Sequence, residues 1–117
     1  MGRLTTHVLD TSAGRPAGGI RIELFRLDGG VREKLTEVTT NDDGRCDAPL
    51  LDDVDFRCGE YELLFDAGAY FEATGVTLPE PKFLDVVTIR FGVAEADQHY
   101  HVPLLISPFG YSTYRGS

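Results

Sequence analysis

The chain has 117 residues, with 19 acidic against 11 basic side chains and a formal net charge of -8. That length gives a single domain, 1–117, with a real core, because folding at this size withdraws roughly two-thirds of the unfolded surface from water. An acidic chain opposes the phosphate-neutralising stripe that nucleic acid or an anionic membrane requires, so neither is an expected partner.

Met1 to Leu9 has no basic start leading into a long apolar run, and nowhere do about 20 apolar residues follow one another, as a bilayer crossing needs. The expectation is a soluble, unexported protein. The final Arg-Gly-Ser is not a Ser-Lys-Leu address, so the cytoplasm is the default location. Cys46 and Cys58 fit neither a disulfide-dense scaffold nor CxxC metal spacing and read as two free thiols.

Short β-branched and aromatic runs recur between clusters of Gly, Pro, Asn and Asp, the pattern of an all-β sandwich or barrel. Thr5 to Asp10 is the first predicted strand and Ala13 to Gly19 a loop. Ile20 to Leu27 is the clearest strand, because Ile20, Ile22 and Leu24 alternate with Arg21, Glu23 and Phe25. Arg32 to Thr40 is a more polar partner. Asn41 to Gly44 closes it with residues that tolerate the positive φ of a tight turn, and Arg45 leaves that turn to enter a short strand. Tyr61 to Phe65 alternates again, after which Asp66 is placed to cap a short helix over Ala67 to Thr74, ended by Gly75. No other helix is expected. Leu78 to Lys82 is a proline-punctuated loop, and Val87, Ile89, Phe91 and Val93 line one face of the next strand. Ala94 to Gln98 is a turn. Tyr100 to Ile106 and Tyr111 to Tyr114 are the last two strands, separated by the turn-forming Ser107 to Gly110. There is no internal repeat, low-complexity segment or linker.

Of three histidines, His99 and His101 stand two apart in a predicted strand, so both share one face while Tyr100, Val102 and Leu104 share the other. His7 lies in the first strand. These residues allow two chemistries. His7, His99 and His101 can ligate zinc, since neutral imidazoles suit a tetrahedral cation, although no cysteine or closely spaced carboxylate completes the set. Without metal, one neutral histidine takes a proton from water, another donates to developing charge, and Arg45 holds a planar anionic substrate in its fork. No Ser-His-Asp order, Gly-x-Ser-x-Gly elbow or phosphate-binding glycine loop is present.

The stretch from Tyr100 to Ser117, YHVPLLISPFGYSTYRGS, resembles the end of the 5-hydroxyisourate hydrolase family, including its terminal Tyr-Arg-Gly-Ser. Leu4-Thr5-Thr6-His7-Val8-Leu9-Asp10 with Gly14-Arg15-Pro16-Ala17 resembles its opening segment, and Thr40-Asn41-Asp42-Asp43-Gly44-Arg45 its middle motif. The similarity extends over essentially the whole chain and is looser through Asp52 to Cys58 and Pro79 to Leu84. It implies a transthyretin-like (prealbumin-like) β-sandwich of eight strands in two sheets with one short helix. It also implies a homotetramer, a dimer of dimers with active sites in the clefts where dimers meet. The family opens the six-membered ring of 5-hydroxyisourate by water attack, with no cofactor and no metal. Its catalytic residues fall here on His7, Arg45, His101 and Ser117, and the substrate would meet Arg45, Tyr114, Arg115, Gly116 and Ser117. His99 lies outside that set and reads as a neighbour. The competing function is a small-molecule carrier in the manner of transthyretin, which lacks these four residues.

Overall fold

Alternating apolar residues become strand faces along most of the chain, as a computed structural model describing residues 2–116 shows. One sheet contains β1 (Arg3–Asp10), β2 (Arg15–Pro16), β5 (Leu51–Asp52), β8 (His99–Ser107) and β9 (Gly110–Thr113). The other has the order β4 (Val31–Thr39), β3 (Arg21–Asp28), β6 (Gly59–Asp66), β7 (Val86–Val93). Helix α1 (Ala67–Ala73) follows β6 directly.

Among the described residues the strands therefore number nine rather than the expected eight. Arg15–Pro16 pairs with the end of β1 and Leu51–Asp52 with its start. Two residues are too short to show a period, so these segments look like loop in sequence. Asp66 does stand at the N-cap of α1, but its side chain makes no capping bond. It accepts instead from Arg21 Nη1 at 3.2 Å. Arg45 enters no strand; its backbone forms an isolated antiparallel bridge with His7.

The two sheets enclose the core. Leu4, Val8, Leu104 and Ile106 from the first meet Ile22, Leu24, Tyr61, Leu63 and Phe65 from the second, all fully buried. Each such aliphatic or aromatic side chain contributes roughly 1.5–3 kcal/mol through burial. Among the described residues no helix is long and apolar enough to cross a membrane.

What positions the chemistry is one pairing. β1 and β8 run parallel with Arg3 beside His99, Thr5 beside His101 and His7 beside Pro103. Because neighbours across a sheet point the same way, the strand period that sends Leu4, Thr6 and Val8 inward sends Arg3, Thr5 and His7 outward beside His99 and His101. All three imidazoles thus stand on one sheet face, each half-buried.

Candidate active site

The turn before Arg45 is built by the Asn41 side chain. Its Oδ1 accepts from the backbone N–H of Asp43 at 2.9 Å and of Arg45 at 3.1 Å, while the Gly44 N–H reaches the Asn41 carbonyl at 2.9 Å. Gly44 adopts φ +74°, and an added Cβ would run into the carbonyl oxygen of Val8. Only glycine lets this turn lie so close to β1. The Gly44 carbonyl then accepts from the Val8 N–H at 2.8 Å, which fixes Arg45 across from His7.

Beside that contact lies a cavity of about 480 Å³ lined by Arg3, Thr5, Arg45, His99 and His101, with Cys46 to Pro49 forming one wall. Arg45 is exposed, and among the described residues no carboxylate forms an ion pair with it. Although the chain carries a net charge of -8, this cavity has Arg3 and Arg45 in its lining against Asp47 alone. An anion is favoured there.

The histidine hydrogen bonds restrict their protons. His7 Nε2 lies 3.0 Å from the Asp43 carbonyl oxygen, which only accepts, so Nε2 carries the proton and the neutral ring keeps its lone pair on Nδ1. Thr5 Oγ1 stands 2.7 Å from His99 Nε2 and 2.8 Å from His101 Nδ1. Burial lowers the affinity of His101 for a proton below the ordinary histidine value, and the positive charges of Arg45, His99 and His7 lower it further. Burial likewise lowers His7, with Arg45 adding to it, against an upward pull from the carbonyl and charge of Asp43. His99 is lowered by burial, then by Arg3 and Arg115. All three are neutral at neutral pH.

The tail of the chain closes on the same face. Gly116 and His101 form a backbone bridge in which the Gly116 N–H reaches the His101 carbonyl at 2.7 Å. A Cβ on Gly116 would sit 3.0 Å from His101 Cδ2, so the backbone packs flat against that ring. Arg115 lies over the Tyr100 ring at 3.9 Å and donates to Gln98 Oε1 at 3.0 Å and to the His99 carbonyl at 3.3 Å.

The expected site residues are thus placed as follows. Arg45 and His101 line the cavity, His7 stands beside Arg45, and Gly116 covers His101. Tyr114 and Arg115 line a second, smaller cleft of about 250 Å³ with Ile89, Phe91, Tyr100 and Val102. Ser117 lies outside the described residues. The zinc arrangement finds no geometry, since among the described residues no three His, Cys, Asp or Glu side chains are grouped to hold a metal ion. His99 Nε2 and His101 Nδ1 meet the Thr5 hydroxyl instead. Thr5 and Arg3 escaped the sequence reading. Their signal was the strand period that aligns both with His7, but only the β1–β8 register brings them to His99 and His101.

A parallel β1–β8 pair inside a two-sheet sandwich, with a loop arginine bridged to a strand histidine, is thus the frame of the site. A profile of the HIUase/Transthyretin family matches residues 4–116, and the chain belongs to that family. The 5-hydroxyisourate hydrolase of Mesorhizobium japonicum is 67% identical over 116 residues, spanning 99% of this chain and 93% of that protein. The structure of Klebsiella pneumoniae 5-hydroxyisourate hydrolase aligns with a TM-score of 0.82 at 38% identity, covering 100% of both chains. The crystal structure of (S)-allantoin synthase aligns with a TM-score of 0.94 at 47% identity over 99% of this chain, which spans only 44% of that longer protein.

Proposed function

We propose that this chain hydrolyses 5-hydroxyisourate to 2-oxo-4-hydroxy-4-carboxy-5-ureidoimidazoline, opening the six-membered ring at a carbonyl with residues of the protein alone. The observation that carries this reading is the meeting of the exposed Arg45 guanidinium, which no carboxylate among the described residues pairs, with the neutral imidazole of His101 in one anion-favouring cavity.

Arg45 binds the substrate through two parallel N–H donors and stabilises the oxyanion that forms when the carbonyl is attacked. His101 accepts the proton of the attacking water at Nε2, and the resulting imidazolium returns it to the ring nitrogen as the carbon–nitrogen bond breaks. Water thus supplies OH to the new carboxyl group and H to the leaving nitrogen. His7, whose Nε2 proton is committed to the Asp43 carbonyl, offers its Nδ1 lone pair to hold that water. Ser117 completes the set at the chain end, and Tyr114, Arg115 and Gly116 shape the cleft.

The working form is a homotetramer, a dimer of dimers acting in the cytoplasm. Supporting the assembly, β7 and β9 end their sheets, and Val86, Tyr111 and Tyr114 beside those edges are exposed. Free edges and exposed aromatics are suited to pairing with another copy. The location is in keeping with the free thiols of Cys46 and Cys58.

The test is to generate 5-hydroxyisourate freshly from urate with an oxidase and to follow its ultraviolet absorbance with and without the protein. Decay well above the spontaneous rate supports the hydrolase; saturable binding at the spontaneous rate would make the chain a carrier. Sedimentation equilibrium reads the tetramer in the same preparation.

A further inference from the structure

The catalytic reading leaves two groups unused, the Thr5 hydroxyl and the His99 ring. Both sit on the outward face of β1 and β8, where Thr5 meets His101 at Nδ1 and His99 meets Thr5. Thr5 Oγ1 is shared between His99 Nε2 at 2.7 Å and His101 Nδ1 at 2.8 Å. The rings lie 6.2 Å apart between centroids, so the hydroxyl is the link between them.

A hydroxyl has one proton to give and lone pairs to accept with. If Thr5 donates to His99 Nε2, His99 carries its own proton on Nδ1, and Thr5 must accept from His101 Nδ1–H. If Thr5 donates to His101 Nδ1, His101 carries its proton on Nε2, and Thr5 must accept from His99 Nε2–H. In both cases the two neutral rings have the same tautomer. Opposite tautomers either set two lone pairs against one proton or, with both rings donating to the Thr5 oxygen, leave the hydroxyl proton with neither ring to accept it.

We propose that Thr5 is a positioning residue that locks His99 and His101 into one shared tautomer, the one with both ring protons on Nδ1, so that His101 meets the cavity with Nε2 unprotonated. In that state the chain of bonds runs from His101 Nδ1–H to Thr5 Oγ1, and from the Thr5 hydroxyl to His99 Nε2. His99 does not meet the substrate; it holds the Thr5 proton so that the oxygen faces His101. When His101 Nε2 takes a proton from water, the Nδ1–H bond to Thr5 persists and stabilises the imidazolium. The role is that of an orienting partner behind a general base, filled here by a neutral pair rather than a carboxylate.

The catalytic consequence rests on the hydrolase reading, whereas the lock itself does not. Nitrogen-15 spectra of the wild-type imidazoles above their titration should show His99 and His101 both protonated on Nδ1; opposite tautomers, or both rings protonated on Nε2, overturn the proposal. Thr5→Val keeps the shape and β-branching of the side chain. It should lower kcat about 10- to 100-fold, leave KM within about twofold, and move the acid limb of kcat/KM to lower pH because the imidazolium loses an acceptor. Thr5→Ser should restore kcat to within about threefold. A Thr5→Val enzyme with unchanged kcat and pH profile overturns the proposal, and if that variant does not fold the wild-type spectra decide. A wild-type protein that fails to turn over 5-hydroxyisourate sinks the hydrolase reading, while the spectra still judge the lock.

Discussion

His7 and Arg45 are backbone neighbours, joined by an antiparallel bridge between β1 and a loop that belongs to neither sheet. Gly44 makes that closeness possible, because its φ of +74° and the nearby Val8 carbonyl leave no room for a side chain. Gly44→Ala therefore should cost at least about 1–3 kcal/mol of stability, the usual range for a strained backbone residue. It should also reduce kcat/KM by displacing Arg45. Thermal melting together with steady-state kinetics measures both, and an alanine variant matching the wild type in each would show that the turn is not confined as described.

Arg45→Lys retains the charge but not the fork. A single ammonium cannot present two parallel donors to adjacent acceptors, so kcat/KM should fall by about 10- to 100-fold, about 1.4–2.7 kcal/mol of transition-state binding. Since Arg45 is exposed, folding should be unaffected. Circular dichroism and initial rates separate the two, and a lysine enzyme within twofold of wild type would remove bidentate contact from the mechanism.

The three lowered imidazoles set a direction for pH dependence. An unfolded histidine titrates near ~6.5, above His7, His99 and His101 in the folded protein, so below that pH the unfolded chain binds more protons. Stability is then lost as pH falls from about 6.5 through the lower folded values. In the proposed mechanism turnover depends on neutral His101 and falls with it. A kcat/KM profile with its acid limb above ~6.5 would contradict the burial described for these rings. His101→Ala should abolish that limb and cost ~10²–10⁴ in kcat, and His7→Ala should also lose activity on that scale, both with the fold retained.

Gly116→Val tests the tail. The new Cβ would meet His101 Cδ2 at 3.0 Å, and the added methyl groups force either the ring or the tail to move. The expected result is a fall in kcat of about tenfold or more with little change in melting temperature, because the tail's residues are mostly exposed while the ring is the proposed general base. A parallel variant, Arg115→Ala, removes the contacts to Tyr100 and Gln98 that hold the tail down and should act in the same direction.

Much of this was legible in sequence because it is periodic or glycine-marked. The alternation of Ile22 and Leu24, and of Tyr61, Leu63 and Phe65, gave β3 and β6 their buried faces directly. The Asn41 to Gly44 motif announced the turn that carries Arg45. What stayed hidden depends on register. Thr5 meets His101 across a separation of 96 residues, and no local pattern says that β1 lies parallel to β8. The two-residue strands β2 and β5 exist only as additions to β1, so they have no pattern of their own. The guanidinium of Arg115, a residue of the terminal motif, lies on Tyr100, a stacking that spacing alone does not foretell.

Bringing residues 3–10 against residues 99–107 has a kinetic consequence. The opposite sheet grows from a β3–β4 hairpin and the adjoining β6–β7 pair, which close shorter loops and are favoured early. The hollow between Arg45 and His101 has no walls until the most distant segments have met. Recovery of turnover during refolding should therefore lag the appearance of strand signal, so that enzymatic competence reports the final docking event rather than collapse.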